Sequence, residues 1–66
     1  MKIILNGKET EVAEGVTISQ LLEERKIVPQ MIACEVNSEI VRRREYAQTM
    51  VRPGDRVEIL QMIGGG

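Results

Sequence analysis

Arg56-Val57-Glu58-Ile59-Leu60-Gln61-Met62-Ile63 is the stretch that decides the fold. Successive side chains of a strand point to opposite faces, so Val57 and Ile59 share one face while Glu58, Leu60 and Met62 share the other. Both faces are apolar toward its end. A strand of that kind belongs inside a sheet and not at its margin. Pro53-Gly54, just ahead of it, suits the two central positions of a type II turn, so the chain reverses there. After Ile63 come only Gly64, Gly65 and Gly66, which have no side chains to pack and lose the most backbone entropy if held. The sequence therefore divides into a domain over 1–63 and a glycine tail over 64–66, which is expected to be mobile until a partner grips it.

Working outward, residues 2–6 read as a strand with Ile3 and Leu5 on one face, and Asn6-Gly7 is the dipeptide preferred in two-residue hairpins. The return strand, residues 8–12, is polar apart from Val12, as suits an edge. Thr17 and Gln20 have the spacing of a capping box, so a helix starts at that point. Ile18, Leu21, Leu22 and the stem of Arg25 then form one stripe, and Pro29 ends the helix by about residue 26 or 27. Residues 31–37 alternate again, with Ile32, Cys34 and Val36 against Ala33 and Glu35. Residues 38–41 return as a short piece, and the charged segment 43–48 makes a turn of helix around Tyr46.

Two strands, one helix and then further strands form an α+β order in which the helix must cross one face of a single sheet. With the polar second strand at an edge and the last strand central beside the first, the arrangement is a ubiquitin-like β-grasp. The expected sheet is mixed and four- to five-stranded.

Composition narrows the function. Sixty-six residues make one small domain with little interior for a substrate pocket, which in known sites is roughly a few hundred Å3 or more. Nine basic and ten acidic side chains leave a net charge of −1, which gives no general attraction to nucleic acid or anionic membranes. No stretch approaches the roughly 18 apolar residues of a membrane span. The lone Cys34 cannot close an internal disulfide, which favours a reducing, cytoplasmic setting. With no His and one Cys there is neither a His-Cys metal set nor a His-activated nucleophile, so no metal and no bound cofactor is expected. Cys34 is in phase with Ile32 and Val36 and reads as core. Arg42, Arg43 and Arg44 read as a solvated face, and Tyr46 as a packing residue with its hydroxyl at the surface.

Four stretches together resemble the thiamine-biosynthesis sulfur carriers of the ThiS family, and the resemblance covers essentially the whole chain. They are Leu5-Asn6-Gly7; Thr17-Ile18-Ser19-Gln20-Leu21-Leu22; Val36-Asn37-Ser38-Glu39-Ile40-Val41 with Arg43 and Tyr46; and Gly54-Asp55-Arg56-Val57-Glu58-Ile59, running on to Ile63-Gly64-Gly65-Gly66. Arg42 departs from the pattern, family members often having Pro there. The resemblance implies a carrier, not an enzyme. A partner adenylating enzyme, using ATP and Mg, activates the C-terminal carboxylate of Gly66, and sulfur then displaces AMP to leave a thiocarboxylate. It further implies a thiazole synthase as recipient and a sulfur-donor protein such as a cysteine desulfurase, with the free carrier a monomer. Gly64 and Gly65 would thread into partner sites, since a tail without Cβ atoms fits a narrow channel. Ile4, Leu60 and Met62, on the outer face of the sheet, are expected to form an apolar docking patch. Carriers of the same design serve molybdopterin, tRNA bases or amino acid synthesis, and a binding module or a lysine-linked modifier could share the fold.

Overall fold

The computed structural model describes residues 1–62. Five strands form one mixed sheet: β1 Lys2–Leu5, β2 Lys8–Glu11, β3 Ile32–Val36, β4 Glu39–Val41 and β5 Arg56–Gln61, in the spatial order β2-β1-β5-β3-β4. β5 is central, parallel to β1 and antiparallel to β3, and β2 is an edge. The β-grasp arrangement expected from the sequence is the one observed. Expected features over 63–66, including the last residue of the closing strand and the tail, lie outside the described residues.

The helix α1, Ile18–Glu24, is built by local chemistry at both ends. Thr17 accepts from the Gln20 amide at 3.2 Å, and the Gln20 side chain accepts from the Thr17 amide at 3.0 Å, which completes the capping box. At the other end Ile27 N–H donates to Leu22 C=O and Lys26 N–H to Glu23 C=O, a Schellman closure with Lys26 at φ 57°. The apolar stripe is fully buried at Ile18, Leu21 and Leu22, each worth roughly 1.5–3 kcal/mol against exposure. Arg25 does not extend it: as the residue closing the helix it is exposed, and Ile27, carried inward by the turn at Lys26, packs against the core in its place.

Both hairpins turn through two consecutive residues at positive φ, Asn6-Gly7 in the first and Asn37-Ser38 in the second. Such turns match the twist of the strands they join. The Pro53-Gly54 turn also forms, with Gly54 at φ 81° and Asp55 N–H donating to Arg52 C=O at 3.0 Å. Asp55 then ties the turn to the second hairpin, its carboxylate accepting from Asn37 Nδ2 at 3.0 Å and from the Arg52 amide at 2.9 Å. Ile3, Leu5, Ile18, Leu21, Leu22, Ile32, Cys34 and Val57 form the centre of the core. Val16, Tyr46 and Val51 close it at one side, where Val51 N–H donates to Val16 C=O at 2.9 Å.

Candidate functional site

The candidate site is the end of β5 and the sequence that follows it. Alternation along β5 buries Val57 completely and turns Leu60 outward, 52% exposed. Beyond the strand Met62 N–H donates to Met31 C=O at 2.9 Å, which continues the antiparallel register with β3, and Met62 is 57% exposed. Register puts Ala33 opposite Leu60 and Met31 opposite Met62. Leu60, Met62, Met31 and Ala33 therefore share the outer face at this end of the sheet, away from the helix.

Ile4 does not join them. It is opposite Arg56 in the β1–β5 ladder, four positions short of Leu60 along β5, a separation of roughly 13 Å at strand spacing. It is half-buried, with Arg56 on one side and Glu9 on the other. The outer face is thus divided. One half carries charge at Lys2, Glu9, Glu35, Arg56 and Glu58, and the half at the end of β5 is apolar. Met31 was not singled out in the sequence, because its place beside Met62 follows from strand register, a tertiary property. Gly64, Gly65 and Gly66, the expected threading and attachment residues, lie outside the described residues.

The remaining reactive candidates fall elsewhere. Cys34 is wholly buried on the inner face; burial pushes its thiol up to about 11, and the Glu35 carboxylate adds to the rise. A thiol so placed is an inert core residue at neutral pH. Tyr46 is buried beside the helix, deeper than a ring with an exposed hydroxyl implies, and burial likewise raises its pKa. Arg42, Arg43 and Arg44 are exposed around a one-turn 3-10 helix, Arg43–Glu45. A surface depression of about 530 Å3 sits beside edge strand β4; its lining includes the carboxylates Glu39 and Glu45 and the Thr49 hydroxyl, with no His, Cys or Lys beside them. Among the described residues no group of three or more His, Cys, Asp or Glu could hold a metal, and no helix is long and apolar enough to cross a membrane.

Fold and site together define a β-grasp domain whose central strand runs out into a terminal glycine sequence through an exposed apolar margin. The ThiS family model matches residues 3–66. The chain belongs to the ThiS family. It is 35% identical to the sulfur carrier protein ThiS of Escherichia coli K12, with all of both chains covered. It is also 41% identical over its whole length to a thiazole synthase of Paramagnetospirillum magneticum, and 35% identical to one of Magnetococcus marinus. The chain spans only 20% of the length of those two relatives. A crystal structure of a thiamine biosynthesis protein, ThiS, from Geobacter metallireducens superposes with a TM-score of 0.88 at 35% identity, covering 100% of each chain.

Proposed function

We propose that this protein is a sulfur carrier for thiamine biosynthesis, with the C-terminal carboxylate of Gly66 as its working group. The observation that carries the reading is the end-to-end match, at 35% identity, to a sulfur carrier protein of the same length, beside the Gly64-Gly65-Gly66 run of this sequence. An adenylating enzyme joins the carboxylate to AMP at the expense of ATP, with Mg, and releases pyrophosphate. The outer sulfur of a persulfide on a donor protein such as a cysteine desulfurase then displaces AMP to form an acyl disulfide, and a thiol reduces that disulfide, releasing the thiocarboxylate and taking the donor sulfur into a new disulfide. Chemistry requires this order, since a carboxylate oxygen is a poor leaving group until it is esterified to phosphate. The thiocarboxylate is delivered to a thiazole synthase, and the two thiazole synthases that contain a segment similar to this whole chain support that choice of recipient. Gly64 and Gly65 thread into the partner sites, and Leu60 and Met62, with Met31 beside them, dock against the partner. The carrier supplies the handle and its partners supply catalysis.

The test is intact-mass analysis after incubation with MgATP, a sulfur source and an adenylating enzyme, with a Gly66 deletion in parallel. The full chain should gain the mass difference between sulfur and oxygen, and the deletion should not. A gain in both, or in neither when the same enzyme loads its own carrier, would remove Gly66 from the role proposed.

A further inference from the structure

The central strand outruns its parallel neighbour. The β1–β5 ladder ends at Leu5 opposite Val57, while β5 continues to Gln61. Hydrogen-bond directions along β5 follow from three contacts. Asn37 N–H donates to Arg56 C=O, and Met62 N–H donates to Met31 C=O, so the backbone groups of the even residues face β3. Asn6 N–H donates to Val57 C=O at 2.9 Å, so those of the odd residues face β1. Past the end of β1 the Asn6 side chain stands in for one further strand residue, its Oδ1 accepting from Ile59 N–H at 2.7 Å. Beyond it, Ile59 C=O and the N–H and C=O of Gln61 point along the sheet plane toward the side β1 has left, and among the described residues none of them has a hydrogen-bond partner.

Such a row is the start of an unfilled strand position inside the sheet. It is bounded at one end by Asn6 and leads, at the other, directly into residues 63–66. Edge groups of this kind are templates for an added strand, and proteins that leave them open inside a hydrophobic setting commonly use them. The setting here is apolar, with Leu60 and Met62 exposed on the outer face of the same segment.

We propose that the open edge of β5 from Ile59 to Gln61 pairs with an extended backbone segment of the thiazole synthase that receives the tail. The choice of occupant rests on the recipient named in the proposed function. Two features favour it: the open groups demand an extended main chain and no particular side chain, and whatever receives the tail must lie against the segment from which the tail departs. Pairing there fixes the rotation of the carrier about its tail, which apolar contact at Leu60 and Met62 alone leaves loose, and so aims the Gly66 carboxylate.

Gln61→Pro tests the idea with little disturbance of the fold. The N–H it deletes faces the open side, whereas the adjacent ladder to β3 runs through Leu60 and Met62. Gln61→Ala keeps the N–H and measures the share of the side chain. Binding of both to the thiazole synthase of the same organism is measured by calorimetry. Gln61→Pro should bind about tenfold more weakly than Gln61→Ala, the loss expected for one interface hydrogen bond plus the clash of the ring. Equal binding of the two would overturn the pairing. Hydrogen exchange on the unsubstituted chain gives an independent reading: the Gln61 amide should become protected in the complex, and an amide that exchanges as fast bound as free overturns the proposal. If the unsubstituted chain does not bind thiazole synthase at all, the choice of recipient fails and this inference with it. Protection of Gln61 that appears in the chain alone as its concentration rises would make the occupant a second copy and exclude the one proposed.

Discussion

Lys26 holds a conformation that its side chain disfavours. Its φ of 57° is the left-handed geometry that closes a Schellman motif, a place usually taken by glycine. An L side chain there costs about 1–2 kcal/mol, part of which glycine would return as greater backbone entropy in the unfolded chain. Lys26→Gly should therefore stabilise the protein by about 0.5–1 kcal/mol in urea unfolding. A decrease would mean that the Lys26 stem contributes packing that outweighs the strain. Arg42 is the opposite case. Its φ of −75° and ψ of 147° lie in the extended region where even proline is at ease, so this position carries no backbone strain.

At the scale of the element, β5 carries both the architecture and the docking proposal. Leu60 and Ile40 are both exposed apolar residues on the outer face, at 52% and 73%, yet only Leu60 lies at the end of β5 beside Met62. Leu60→Asp should weaken transfer of sulfur to or from the carrier by roughly tenfold or more, as expected for a contact near the centre of an interface, with little change in stability. Ile40→Asp should leave transfer within about twofold. Equal effects from the two substitutions would show that position relative to the tail is irrelevant. The strands, the helix cap and the Asn6-Gly7 and Pro53-Gly54 turns were legible in the sequence, because each depends on period or on residues a few places apart. The same holds for the inward phase of Cys34. Three things were not. The Arg25-for-Ile27 exchange depends on the path of the chain beyond a left-handed Lys. The depth of Tyr46 and the Val16–Val51 contact join segments 30 or so residues apart. The separation of Ile4 from Leu60 depends on which residue faces which across a parallel ladder, and no local pattern encodes it.

At the scale of the whole molecule, a core this small leaves modest stability, and the buried Cys34 thiol ties part of that stability to pH. The Cys34 thiol ionises near 9.0 when unperturbed and at about 11 in the folded chain, raised first by burial and then by Glu35. Below pH 9 both states keep the proton and the contribution is complete. Between 9 and 11 the unfolded chain releases it while the folded chain holds it, so stability falls as pH rises through that window, by about 2–3 kcal/mol at most. Urea unfolding followed from pH 8 to 11 should show a steeper loss for the unsubstituted protein than for Cys34→Ala. Parallel slopes would show that the thiol reaches solvent before the chain unfolds.

The parallel pairing of β1 with β5 also has a mechanical meaning. Because the two strands run the same way, the start of β1 and the end of β5 lie at opposite poles of the sheet. Tension applied between them acts along the ladder, so its hydrogen bonds must give way together by sliding and cannot be unzipped one at a time. A pull on the end of β5 against a hold at the start of β1 therefore loads the sheet in the direction in which it resists most.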